Sequence, residues 1–279
     1  MTETPAPVTP AELREHYGPW AVVAGGSEGV GREFAVQLAD AGVHLVLLAR
    51  KPEPLAETAS LCRERGVEVR TVAMDLTAAD AVERLTAVTD GLEVGLLIYN
   101  AGANTHSAEF LDGDLEAFGR VITLNITTQL ALVQHYGRPM RERGRGGILL
   151  VGSMAGYLGS TRHTVYGGVK AFGRIFAESL WVELRRSGVD VVELVLGVTR
   201  TPAMERVGLN FDAPGFTPSE PANVARQGLA SLRQGPVVIA EGNEQAARIQ
   251  AAVDDRARLV AGADKRMRQL MAGSTEHGA

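Results

Sequence analysis

The chain has 279 residues, 45% of them hydrophobic and 22% charged, the make-up of a globular protein in water. Its net charge of −5, with no dense basic block, argues against nucleic acid as a partner. A single cysteine, Cys62, excludes an intrachain disulfide, and the longest apolar runs, such as VHLVLLA, fall far short of the roughly 18 residues that span a bilayer.

The opening stretch MTETPAPVTPAELREHYG has no basic segment followed by an apolar core, so it does not read as a secretory signal, and a cytoplasmic protein is expected. Residues 1–12 are expected to form a loose tail. Short β-branched runs then predict strands at Trp20–Ala24, Val43–Ala49, Val67–Ala73, Gly95–Asn100, Gly147–Gly152, Asp190–Leu196 and Pro236–Ala240. They are continuous rather than alternating, as strands covered on both faces should be. Between them lie amphipathic stretches, among them GREFAVQLADAG, EPLAETASLCRERG, ADAVERLTAVTD, LEAFGRVITLNITTQLALVQHYGRPMRERG and GGVKAFGRIFAESLWVELRRSG. Strands alternating with helices through short joins predict one doubly wound, three-layer α/β domain with a parallel sheet of about seven strands. Cys62 reads as a small, half-buried helix residue.

The first strand runs into AGGSEGVG, with Gly25, Gly29 and Gly31 where a strand turns into a helix. Absent side chains there allow a tight turn, close approach of a pyrophosphate and close helix–strand packing, and the helix N-terminus favours an anion. At the end of the second strand, LLARKPEP has no acid at Leu48 or Ala49 but offers Arg50 and Lys51. An acid there would hold the ribose hydroxyl of NAD, whereas a planar guanidinium suits the 2′-phosphate of NADP. NADP is therefore preferred, with NAD possible. Further on, VYGGVK sets Tyr166 one helical turn before Lys170, with Ser153 ending a strand 13 positions earlier and Asn125 on a preceding helix. Such a tyrosine can act as acid or base toward a carbonyl or alcohol if its pKa falls, and a neighbouring lysine cation favours the phenolate. A serine hydroxyl can hold the reacting oxygen by hydrogen bonding.

These motifs, in this order, resemble the short-chain dehydrogenase/reductase family over about residues 17–240. The fingerprint T-G-x-x-x-G-x-G appears with Ala24 in the threonine position, N-N-A-G appears as Tyr99–Gly102, and P-G-x-V-x-T appears as LGVTRT, with Leu196 and Thr199 replacing proline and valine. The resemblance implies catalysis by Tyr166, Lys170, Ser153 and Asn125, the lysine also holding the nicotinamide ribose and Asn125 positioning a relay water. It implies cofactor contacts from Gly25, Ser27, Glu28, Gly29, Val30, Gly31, Arg50, Lys51, Asp75, Leu76, Asn100, Ala101, Gly102, Gly197, Thr199 and Thr201, besides Tyr166 and Lys170. Glu28 stands where NADP-dependent relatives often carry a basic residue. Asp75 matches a residue that bonds the adenine amine, and also suits an N-cap. YGPWAVVAGG is similar to the strand entry of hydroxysteroid and long-chain ketoacyl reductases, which implies a hydrophobic ketone, aldehyde or secondary alcohol as substrate.

The expected pocket is formed by Met154–His163, Ala103–Phe110 and an irregular substrate loop at about 201–221. Residues of about 242–272 read as a helical tail. The six histidines show no metal-ligand spacing, so a metal is not expected. Family habit implies a homotetramer or homodimer built on the helices that carry Asn125 and Tyr166. A non-catalytic dinucleotide sensor or scaffold, or an isomerase or dehydratase of the same family, is the alternative.

Overall fold

The structure, a computed structural model, describes residues 5–206, 208–209, 211, 217–262 and 265. Pro10–Tyr17 (α1) precedes the first strand, Trp20–Ala24 (β1). Gly29–Asp40 (α2) leads to His44–Ala49 (β2), Pro52–Arg63 (α3) to Val69–Ala73 (β3), and Ala81–Thr89 (α4) to Val94–Tyr99 (β4). Leu115–Ile122 (α5), a π-helical turn at Thr123–Thr127 and Thr128–Arg143 (α6) then run on without a break. Gly146–Ser153 (β5) passes through a 3-10 turn, Met154–Gly156, toward Thr164–Leu184 (α7). Val189–Leu196 (β6), Pro202–Arg206 (α8), Pro221–Ala230 (α9), Val237–Ile239 (β7) and Glu244–Ala251 (α10) follow.

The seven strands form one parallel sheet in the order β3-β2-β1-β4-β5-β6-β7. β1 and β4 are neighbours although two strands separate them in sequence, so the winding reverses between them and opens a crevice at their C-terminal ends. Alternate residues of each strand feed two separate cores. Ala21, Val23, Leu45, Leu47 and Leu194 pack with Phe34 and Leu38 of α2 and Val224 and Leu229 of α9. Val22, Val46, Leu97, Ile148 and Val191 pack with Leu85 of α4, Leu132 and Met140 of α6 and Ala177 of α7. Each fully buried Val, Leu or Phe in these layers is worth about 1.5–3 kcal/mol of transfer free energy, which is why continuous apolar runs become strands here.

Two expectations need correction. Residues 5–12 are not a loose tail. Val8 is buried, its N–H bonds to the Ala230 carbonyl at 2.9 Å, and Thr9 and Glu12 form a reciprocal capping box that starts α1. Glu12 also pairs with Arg233 and Tyr17 donates to Asp190 at 2.7 Å, so the segment is fastened at several points; residues 1–4 lie outside the described ones. The helical tail is broken: α10 stops at Ala251, Asp255 takes a positive φ of 53°, and helix resumes over 256–262. Residues 263–264 and 266–272 of that expected tail lie outside the described ones. The expected substrate loop contains α8 and a bridge between Thr199 and Ser219, with 207, 210 and 212–216 outside the described residues.

Candidate active site

The glycine turn closes against β2 and β4. Gly25 and Gly26 both donate backbone bonds to the Leu48 carbonyl, at 2.8 and 2.9 Å, and Gly25 takes a φ of +83° that L side chains rarely adopt. At Gly31 a Cβ would lie 1.9 Å from the Gly25 carbonyl oxygen, so helix and turn touch as only a glycine allows. Asn100, at the end of β4, donates its side-chain amide to that same oxygen at 2.9 Å. The Ser27 carbonyl is held by Thr58, and Val30 turns into the core. Among the described residues no side chain caps the first turn of α2, which leaves its N–H groups and dipole to an anion in the crevice.

Glu28 sits at that N-cap position without capping it. Its carboxylate instead accepts from Lys51 Nζ at 2.9 Å and from Arg206 Nη2 at 2.6 Å. Burial pushes the Glu28 carboxyl up, but the bonds from Arg206 and Lys51 outweigh it and hold the group below its ordinary value. Arg50 is exposed beside this trio. Thr201, which leads into α8, lies against the same turn, since a Cβ on Gly29 would meet its methyl at 2.8 Å. Arg206 was invisible to motif reading; its only sequence signal is a cation in a Pro-rich loop.

Ser153 ends β5, where its hydroxyl accepts from the Ala155 N–H at 3.2 Å and reaches the Tyr166 hydroxyl. Tyr166 is the third residue of α7, and Lys170 follows on the same face with Nζ 5.7 Å from the tyrosine ring centre. Lys170 is buried and donates to the Val151 carbonyl at 3.0 Å. Burial pulls its pKa down to about 8, opposed by the charge of Glu193. Burial pushes the Tyr166 phenol up, and the influence that lowers it is the Ser153 bond rather than the lysine cation.

Asn125 lies in the π-helical turn, donating to Val121 at 2.9 Å and to Ala103 at 3.2 Å, while its buried Oδ1 has no partner. A Cβ on Gly102 would fall 2.6 Å from Lys170 Nζ and 2.8 Å from Asn125 Oδ1, so the two side chains converge on this glycine, while Ala101 before it packs against the core. The Tyr99 hydroxyl donates to the Leu124 carbonyl at 2.6 Å. The departure from N-N-A-G thus anchors the wide turn, where the i→i−4 pattern lapses.

The remaining positions divide. Asp75 Oδ1 takes the N–H and hydroxyl of Thr77, both at 2.9 Å, which is a local turn; α4 has Asp80 as its N-cap instead. Leu76 is buried and its carbonyl receives the Thr128 hydroxyl at 2.7 Å. Thr199 is buried beside Gly197, and Asn243, unmarked by any motif, fills the space a Gly197 side chain would need. A cavity of about 770 Å³ opens beside the 3-10 turn, lined among others by Leu158, Thr161, His163, Arg256 and Val260. Neither Ser153 nor Tyr166 lines it. Of the expected pocket, Asn104 and Ser107 donate to the Arg162 carbonyl at 3.3 and 3.5 Å, so 103–110 lies against the stretch that leads into α7. Gly167 and Gly168 both face the cavity, and Gly167 also packs against the Ala155 carbonyl. Among the described residues no group of three His, Cys, Asp or Glu could hold a metal ion, and no helix is long and apolar enough to cross a membrane.

Taken together, an uncapped helix start, a glycine cradle and an orphaned amide oxygen beside a buried lysine fit a dinucleotide lying across the crevice. A family model described as short chain dehydrogenase matches residues 19–210. A 7beta-hydroxysteroid dehydrogenase of Collinsella aerofaciens is 35% identical over 193 residues, covering 69% of this chain and 73% of the relative. A very-long-chain 3-oxoacyl-CoA reductase of Laccaria bicolor is 36% identical over 181 residues, covering 63% and 54%. Among solved structures, one reported for 7beta-hydroxysteroid dehydrogenase stereoselectivity superposes with a TM-score of 0.81 at 30% identity, over 89% of this chain and 97% of its own. A short-chain dehydrogenase from Sphingobium yanoikuyae in complex with NADPH superposes at 0.75, with 30% identity, over 88% and 96%.

Proposed function

This chain belongs to the short-chain dehydrogenase family and is an oxidoreductase, and from that premise we propose that it reduces a bulky apolar ketone, or oxidises the matching secondary alcohol, with NADP(H). The observation that carries the reading is that Ser153 meets Tyr166, that Lys170 follows the tyrosine on the same helix face, and that Lys170 and Asn125 converge beside Gly102. A bound nicotinamide nucleotide supplies or accepts the hydride. Ser153 and Tyr166 hold the carbonyl oxygen between two hydroxyls, and the Tyr166 hydroxyl gives it a proton as negative charge develops. A phenol kept protonated by burial suits that direction of proton flow. Lys170 and Asn125 Oδ1 offer a donor and an acceptor to one water, through which the tyrosine is reprotonated.

Support for NADP comes from the second strand, which ends without an acid, and from Arg50 and Lys51 just after it. Glu28 would repel a 2′-phosphate, but Lys51 and Arg206 already neutralise it. The apolar class of substrate is supported by the names of the relatives. Exposed Ile122 on α5 and Phe172, Ile175 and Val182 on α7 support a homo-oligomer built on those helices.

The test is a panel of hydroxysteroids, long-chain 3-oxoacyl thioesters and small ketones, each assayed with NADPH and NADH, against the Tyr166→Phe variant. Loss of one hydroxyl should cut turnover by about 10²–10⁴-fold with cofactor affinity retained. Near-normal rates in that variant would overturn the assignment.

A further inference from the structure

β6 carries a carboxylate where an apolar residue is expected. Glu193 stands mid-strand, paired on one side with Leu150 of β5 and on the other with Val237 of β7, and only 2% of it is exposed. Its side chain points to the α7 face of the sheet, the face that Val191 shares. Room for the carboxyl is made by two glycines. A Cβ on Gly152 would stand 2.6 Å from Glu193 Cδ and Oε1, and one on Gly173 would stand 3.0 Å from Oε1. A slot cut by two missing side chains, on β5 and on α7, is built for this group. Glu193 Oε2 has no hydrogen-bond partner, and neither does Nε of Arg174 one turn beyond Lys170.

The carboxyl lies against Gly152, which follows Val151, the acceptor of the Lys170 ammonium, and against Gly173, three residues beyond Lys170 on α7. We propose that Glu193 is the buried counter-charge of Lys170, a positioning residue that acts on the reaction only through it. This rests on the reading of Lys170 as part of the catalytic set. An ammonium in a dry site loses its proton unless an opposite charge compensates for lost hydration. Among the groups that bear on Lys170, Glu193 is the one that favours its protonated form. In return, burial pushes the Glu193 carboxyl up to about 7, while Lys170 and Arg174 oppose that and Glu178 adds to it. From the 3-10 turn, Tyr157 also faces this cluster, with the Arg174 guanidinium stacked 4.8 Å from its ring centre. The β5 and β7 neighbours, Leu150, Gly152 and Val237, bring no charge.

The test uses the fact that this chain has three lysines, Lys51, Lys170 and Lys265. Lysine labelled with ¹³C at Cε gives resolvable signals in the intact protein, and assignment follows from a Lys170→Met control. In the wild type, Lys170 should titrate near its lowered value of about 8 and show a second inflection near 7 from Glu193. Glu193→Gln, which keeps shape and removes charge, should bind the lysine proton about tenfold more weakly, a fall of about one pH unit at the low end of what an opposite charge supplies. Glu193→Asp should restore part of that fall. A folded Glu193→Gln protein with an unmoved Lys170 midpoint would overturn the proposal. If neither variant folds, a wild-type signal with no second inflection would do so. Neither readout involves turnover, so a failure here stands apart from failure of Tyr166→Phe to abolish activity.

Discussion

Replacing Gly31 by alanine tests whether the turn around Gly25 and the crevice are one rigid piece. The added Cβ would sit 1.9 Å from the Gly25 carbonyl oxygen and 2.6 Å from Asn100 Nδ2, where ordinary contact begins at 3.4 Å. Relief requires helix α2 and the turn to part by about 1.5 Å, and overpacking against backbone costs about 1–3 kcal/mol. The parting also breaks the 2.9 Å bond from Asn100 to Gly25, worth about 1 kcal/mol. The expected destabilisation is therefore about 2–4 kcal/mol, or roughly 4–8 °C in melting temperature for a chain of this length. NADPH affinity, followed by fluorescence titration, should fall at least about tenfold, because the N–H groups offered to the pyrophosphate move by more than a hydrogen bond tolerates. Gly168→Ala supplies the contrast. A Cβ there meets nothing within 4 Å, so helix propensity alone applies and the melting temperature should hold or rise. A Gly31→Ala protein that melts within 1 °C of wild type and binds NADPH unchanged would refute this account of the turn.

Tyr17→Phe should cost about 1–3 kcal/mol in urea denaturation, because the part-buried Asp190 loses its 2.7 Å donor and keeps only the more distant His16 and the charge of Arg233; an unchanged midpoint would place α1 outside the cooperative unit. Glu12 is held down to about 2 by the Thr9 backbone, Arg233 and the Thr9 hydroxyl. A depressed carboxylate stabilises above its unfolded value and loses that contribution as pH falls toward the folded one. The acid limb of a pH–stability curve between 4.5 and about 2 should accordingly be shallower in Glu12→Gln. Arg50→Ala should weaken NADPH binding about tenfold and NADH binding little, and equal losses would exclude a role at the 2′-phosphate. Ile175→Asp, on the exposed face of α7, should lower the mass seen by light scattering to that of the monomer.

What the sequence made legible was local. Trp20–Ala24 is readable to the residue because five consecutive apolar residues end in a glycine turn, and both facts belong to one short stretch. The capping box of α1 was equally local, since Thr9 and Glu12 stand three apart, yet eight helical residues give too little periodicity for the signal to be heard. The wide turn at Asn125 is different in kind. One extra residue in a continuous helix leaves the apolar spacing almost unchanged, so no period reveals it; the sign was Tyr99, a mismatch within an otherwise matching motif. Glu28 with Arg206, and Tyr17 with Asp190, lie 178 and 173 residues apart, and no pattern links such partners before the fold does. Glu193 was visible as a charge inside a β-branched run, VDVVELVL, and a strand covered on both faces does not keep a carboxylate without a counter-charge. Where a local rule is broken in the middle of a well-formed element, the reason lies across the sheet or the helix interface: for Tyr99 it is the Leu124 carbonyl, and for Glu193 it is the face of α7 that carries Lys170.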